Sequence, residues 1–242
     1  MYKKKSLFVT FEGIEGSGKS YQSQQLYKNL KRNNISVVLT REPGGTIGAE
    51  RIRKVILEDY FHPNSQSQFD KYTDTLLYLA ARNEHMKNKI EPAISKNKIV
   101  LCDRFIDSTL AYQVYGKGVN KNLVDSVHKY ILGSIKPDLT FILKVNISKA
   151  LQRLKKRKKK NRYDKFSRNF YNKVQKAFIK IAKTNKIADT ILQNDSSSST
   201  PQWLRMFSTT YTTQDDNLND KSSDYWCKVI LEPEFLDDKP IP

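Results

Sequence analysis

Gly13-Ile14-Glu15-Gly16-Ser17-Gly18-Lys19-Ser20 decides how the rest of the chain is read, because it fits G-x-x-x-x-G-K-[ST] and stands where one periodicity gives way to another. Before it, Ser6–Glu12 is a short β-rich run; after it, Lys19 to Lys31 has helical character, with Leu26 and Leu30 four residues apart. A strand, a glycine turn and a helix in that order make a cradle for phosphate. Glycines let backbone N–H groups point inward, and the helix N-terminus adds positive potential. Lys19 can reach the β and γ oxygens of a bound nucleotide, and the Ser20 hydroxyl can ligate Mg2+.

Outward from this turn, apolar runs recur at Ser36–Thr40, Lys98–Cys102 and Leu139–Val145, with a weaker one near Ile187–Leu192, and helical stretches lie between them. Such alternation predicts an α/β domain whose parallel sheet is covered on both faces. Asp70 to Lys96 reads as a long helix broken by Pro92, and Lys121 to Leu132 as another that stops at Gly133. After Asn194 the chain turns low in complexity and acidic, so residues 1–200 are read as the folded domain and 201–242 as an atypical acidic tail.

Of 242 residues, 38% are hydrophobic, enough for one sizeable core, and only Cys102 and Cys227 are cysteines, which excludes a disulfide scaffold. Cys102, on an apolar strand, is read as an inert small hydrophobe. No stretch approaches the ~18 apolar residues needed to cross a bilayer, so a soluble cytoplasmic protein without membrane association is expected. The net charge of +18 is mostly one block: residues 149–186 carry 16 Lys and Arg against a single acid. That block suits either a polyanion-binding face or a segment that closes over a small, highly charged ligand. His62, His85 and His128 lack metal-ligand spacing and are read as structural or exposed.

A phosphate loop alone leaves motors, switches and small-molecule kinases open. The second apolar strand narrows the choice, because Ile99-Val100-Leu101-Cys102 ends in Asp103-Arg104. A carboxylate there can organise Mg2+, and the Arg104 fork matches a second phosphate bidentately. Two phosphate sites facing each other suggest transfer between nucleotides. Tyr78 and Arg82, spaced i, i+4, share a helix face suited to stacking on a base and donating to its edge.

Four ordered blocks carry a specific resemblance: residues Phe11–Ser20; Thr40-Arg41-Glu42-Pro43-Gly44-Gly45-Thr46; Thr75 to His85; and Asp103 to Gln113. Over roughly residues 6–195 the chain resembles the bacterial thymidylate kinases, nucleoside monophosphate kinases of the phosphate-loop superfamily. The resemblance implies a three-layer α/β/α fold with a central parallel sheet of about five strands and a mobile lid near 150–166. It implies transfer of phosphate from ATP to thymidine monophosphate with Mg2+, no nucleic-acid partner, and a homodimer. Gly13, Ile14, Glu15, Gly16, Ser17, Gly18, Lys19 and Ser20 would hold the ATP phosphates, and Ser20 with Asp103 the metal. By the same resemblance Glu15 would approach the acceptor's 3′-hydroxyl or Mg2+, Pro43 the base and Arg53 the acceptor phosphate. Tyr78, Arg82, Thr109 and Gln113 would meet the thymine, and Tyr112 the deoxyribose. Lys19, Arg104, Glu15 and a lid arginine, Arg162 ahead of Arg157, would carry catalysis. Glu42 is read with equal weight as an ion-pair partner of Arg41 or Arg104. Two alternatives stay open at this point, a kinase for another nucleoside monophosphate and a nucleic-acid-stimulated ATPase using the basic block; a third, a catalytically silent nucleotide binder, is disfavoured by the presence of Lys19, Asp103 and Arg162 together.

Overall fold

A computed structural model describes residues 6–57, 69–158 and 161–183 in full, and the backbone of 191–193 and 227–232. Six strands, β1 (Phe8–Glu12), β2 (Val37–Arg41), β3 (Ile99–Asp103), β4 (Leu139–Leu143), β5 (Ile191–Gln193) and β6 (Cys227–Glu232), form one sheet in the order β2-β3-β1-β4-β6-β5. Every pairing is parallel. The strands bearing the apolar runs take the centre: β1 is buried throughout and β3 up to Asp103, whereas edge strand β2 is partly exposed.

Period-two alternation assigns the two faces of the sheet. Val9 and Phe11 of β1, Leu101 of β3 and Phe141 of β4 pack with Leu26 and Leu30 of α1 (Lys19–Arg32). On the opposite face Phe8, Val100 and Cys102 meet Leu79 of α3 (Lys71–His85) and Ile131 of α6 (Lys121–Leu132). Beyond β4, Ile142 packs with Ala150 of α7 (Ile147–Lys155) and with Phe178 of α8 (Arg168–Lys183). The expected helix–sheet–helix layering is therefore present, with α2 (Ile47–Leu57) packed beside α3.

Two readings need correction. The sheet has six strands rather than about five, because a segment of the presumed tail, Cys227–Glu232, lies between β4 and β5. The rest of 201–242 is outside the described residues, as is His62. Pro92 does not break its helix: α3 passes through a π-helical turn, Met86–Ile90, into α4 (Glu91–Ser95), with the proline in α4's first turn. There the missing N–H needs no partner, so the helix can continue. Gly133, by contrast, ends α6 with φ 55°.

Candidate active site

The carboxyl ends of β1 and β3 place the two halves of the site side by side, since Phe11 is in register with Asp103. Past Glu12 the main chain turns through Gly13 (φ 134°) and Gly16 (φ 73°), and Gly18, left-handed at φ 93°, caps α1. A Cβ on Gly13 would stand 2.6 Å from the Leu143 carbonyl oxygen, and one on Gly16 would stand 2.7 Å from that of Ala150. Glycine is thus demanded by close approach as well as by backbone angle. Ile14 anchors the loop in the core and Ser17 N–H donates to its carbonyl at 3.3 Å.

Lys19 curls back over this loop, its Nζ 2.7 Å from the Ile14 carbonyl oxygen and 3.4 Å from Ser17 Oγ. Burial, followed by repulsion from Arg104, pushes its pKa down to about 7. The Ser20 hydroxyl donates to Asp103 Oδ2 at the mouth of the site. These two hard oxygens, one from each half, fit a Mg2+ that takes its other ligands from phosphates and water. Among the described residues no larger His, Cys, Asp or Glu cluster offers a competing metal site.

Arg104 joins the halves. Its Nη1 donates to the Gly13 carbonyl (2.9 Å) and Ser108 Oγ (3.0 Å), and its Nη2 to Glu15 Oε1 (2.8 Å). Burial opposes this charge, but Glu15, Tyr112, Asp103 and Glu12 together outweigh it and hold Arg104 protonated. Tyr112 donates to the other Glu15 oxygen and lies under the Arg104 guanidinium, 5.2 Å from its carbon. Behind them Glu12 is fully buried, accepting from Phe105 N–H (2.7 Å) and Ser108 Oγ (2.6 Å). Desolvation and the Asp107 carboxylate push its pKa up to about 7.

Beside these groups lies a buried network whose members come from distant parts of the chain. Glu42 binds Arg82 (2.7 Å) and His85 Nδ1 (3.0 Å), rather than Arg41 or Arg104. Burial would raise the Glu42 carboxyl, but Arg82 and His85 hold it below the usual carboxylate range. Arg41 instead pairs with Glu50 at 3.2 Å. Arg82 also donates to Thr109 Oγ1 (2.9 Å), His128 Nε2 (2.6 Å) and the Phe105 carbonyl (2.9 Å). His128 can accept because burial and then Arg82 push its pKa down to about 2, leaving it neutral. The fork expected to meet the base has its N–H groups engaged by Glu42, Thr109, His128 and the Phe105 carbonyl, within the protein. Pro43 accepts from Arg53 Nη1 at 2.7 Å, bringing those two site residues together.

The lid arginines separate. Arg162 donates to Asp74, and Arg157 lies 3.1 Å from Asp164. Arg153, passed over in the basic run, donates to the Gly16 carbonyl at 3.0 Å. Only its place one turn after Ala150, the residue against which Gly16 packs, distinguishes it. The lid turn itself, a 3-10 segment Arg162–Lys165, is closed by a reciprocal cap between Asn161 and Asp164. It buries Tyr163 edge-on to Tyr78 (6.2 Å) and Tyr112 (5.8 Å), the Tyr163 hydroxyl 3.5 Å from Gln113 Nε2.

The family profile described as "Thymidylate kinase" matches residues 11–201. A thymidylate kinase of Wolbachia pipientis wMel is 48% identical over 179 residues, covering 73% of this chain and 85% of that protein. One of Mycoplasma capricolum is 41% identical over 181 residues, 74% of this chain and 83% of the relative. Among solved structures, the thymidylate kinase of Ehrlichia chaffeensis aligns with a TM-score of 0.59 at 38% identity, over 74% of this chain and 88% of the other.

Proposed function

The chain belongs to the thymidylate kinase family, and we infer from that premise how its own residues perform the reaction. It transfers the γ-phosphate of ATP to thymidine monophosphate, giving ADP and thymidine diphosphate, a step toward dTTP. The observation that carries the residue assignment is Arg104, which reaches from the end of β3 to the phosphate loop at both Gly13 and Glu15 and to Ser108, so that the strand end and the loop form one site.

Gly13 to Ser20 cradle the ATP phosphates through main-chain N–H groups, and Lys19 leaves the Ile14 carbonyl for the β and γ oxygens. Ser20 and Asp103 would hold Mg2+, which when bound neutralises charge on the donor oxygens. Arg104 and Arg53 align the acceptor phosphate. Its oxygen is already a nucleophile at neutral pH, so the protein supplies position and charge rather than a general base. Glu15 exchanges the Tyr112 hydroxyl for the deoxyribose 3′-hydroxyl as its donor, and the Tyr112 ring disfavours a 2′-hydroxyl. Tyr78 stacks on the thymine, and Thr109 and Gln113 meet its edge. Arg82 fixes Thr109 from behind. Arg162, held by Asp74 through Nη2, contributes its positive charge toward the acceptor.

A homodimer belongs to the same reading. Ile47 (81% exposed), Leu76 (50%) and Tyr130 (90%) lie on α2, α3 and α6, of which α3 adjoins both others, and leave apolar surface in water. Among the described residues no helix is long and apolar enough to cross a membrane. A coupled assay with ATP and a panel of nucleoside monophosphates tests the acceptor: turnover should be highest with thymidine monophosphate. Faster turnover of an adenine or cytosine acceptor would overturn that choice, and DNA-stimulated hydrolysis without transfer would overturn the kinase reading itself.

A further inference from the structure

Asp74 lies on α3 one turn before Tyr78 and is fully buried, and no step of the reaction above employs it. Two cations converge on it from other parts of the chain. Lys117, just past the π-helical segment Leu110–Gly116, reaches Oδ2 at 2.6 Å, and Arg162 of the lid turn reaches Oδ1. The same two cations flank Tyr163, the Arg162 guanidinium carbon 5.2 Å and the Lys117 ammonium 5.7 Å from the ring centroid. A single carboxylate therefore fixes both charges that hold the Tyr163 ring, and the ring stands against Tyr78 and Tyr112 with its hydroxyl toward Gln113.

We propose that Asp74 is a positioning residue of the acceptor site: it anchors the lid turn through Arg162, so that Tyr163 forms a third aromatic wall of the nucleoside pocket beside Tyr78 and Tyr112. The charge balance favours this role over simple stabilisation of α3. One carboxylate against two cations leaves the cluster with a surplus positive charge where little water reaches. Arg162 Nε is in addition buried without a hydrogen-bond partner among the described residues. A buried donor left unpaired and a surplus charge are both costly, and an anionic acceptor entering beside Tyr163 balances the charge. Placing the anchor on α3 also couples lid closure to the helix that carries the stacking residue Tyr78. Asp74 thus acts on acceptor binding and not on the ATP phosphates.

The proposal rests on the thymidylate kinase reading, and steady-state kinetics on the full chain tests it. Asp74→Asn keeps the size and removes the charge. It should raise KM for thymidine monophosphate about tenfold while KM for ATP moves less than about twofold. Arg162→Gln should raise the same constant, and the double variant should be no worse than the poorer single variant, since both remove one contact. Tyr163→Ala should reproduce the acceptor defect with Asp74 and Arg162 intact. Additive effects, a defect confined to kcat or to KM for ATP, or a lower melting temperature with unchanged KM would each overturn the proposal. Should Asp74→Asn fail to fold, Arg162→Gln still decides, because Lys117 continues to neutralise Asp74; an unchanged KM for the acceptor then refutes the anchor. If the unmodified protein prefers another monophosphate, the function is corrected, and the same cycle run with that acceptor still answers for Asp74.

Discussion

Gly16 and Lys19 show how much chemistry single positions carry in this loop. Gly16→Ala would combine a positive φ of 73° with a Cβ 2.7 Å from a backbone carbonyl that cannot move aside cheaply. Strain of that kind costs on the order of 1–3 kcal/mol. The variant should melt at lower temperature and lose most ATP affinity, checked by thermal unfolding and nucleotide titration; unaltered affinity would contradict the close approach. Lys19 makes a prediction about protons. With its pKa pushed down to about 7, it is mostly neutral at pH 8 before nucleotide arrives, and the charge of bound phosphates favours its protonated form. ATP binding at pH 8 should therefore take up close to one proton, and at pH 6, where Lys19 is already charged, none through this group. Calorimetry in two buffers of different ionisation enthalpy reads this directly, and Lys19→Met should abolish the difference. The same shift bears on stability. Between about pH 7 and its ordinary value near 10.5 the unfolded chain holds this proton more tightly, so the lysine's penalty on the nucleotide-free fold is relieved as pH rises through that window. Lys19, Ser20 and Asp103 could be named from the sequence because their chemistry follows from a local spacing. The role of Asp74 and the partners of Glu42, His85 and His128 could not, because each pairs with groups far away along the chain.

Helices and turns position these groups, and their ends are where the sequence is most informative. Asn146 caps α7, accepting from the N–H groups of Ser148 (2.9 Å) and Lys149 (3.3 Å). Ala150, which packs on Gly16, and Arg153, which reaches the Gly16 carbonyl, ride on this helix. Asn146→Ala should cost about 1 kcal/mol of stability and weaken ATP binding more than acceptor binding, as paired titrations would reveal. An equal effect on both ligands would mean that α7 does not support the donor site in particular. Asp70 and Asn120 likewise cap α3 and α6, and Gly133 ends α6, as Asn, Asp and Gly at such positions suggest. The passage through Pro92 was not legible. A proline reads locally as a break, and the preceding π-helical turn that accommodates it has no local signature. The basic run between 149 and 165 was legible only in part: the resemblance ranks Arg162 ahead of Arg157, but what Arg153, Arg157 and Arg162 each meet is set by the fold.

At the scale of the whole molecule, β6 completes the sheet from outside the region shared with the family profile, which ends at residue 201. It pairs with β4 from Leu139↔Cys227 to Leu143↔Leu231 and with β5 from Ile191↔Ile230 to Gln193↔Glu232. A chain ending at residue 226 should melt several degrees lower, about what loss of 1–2 kcal/mol gives a domain of this size, while keeping the β1–β3 site and measurable turnover. An unchanged melting temperature would show that the strand adds nothing to the sheet. Leu76→Glu tests the proposed dimer, because a charge on that exposed apolar face should yield monomers in sedimentation. By itself the sequence determined the phosphate loop, the Asp103-Arg104 strand end, the α/β layering and the family, since each rests on residues adjacent in the chain or on a short period. Only the tertiary structure decided that Arg82 serves Glu42 and Thr109, that Arg162 meets Asp74 while Arg153 meets the loop, and that a distal strand enters the sheet. The physical reason is that a charged side chain takes the counter-ion that folding brings within about 3 Å, and a strand takes whichever edge folding leaves open; neither distance is written in sequence separation.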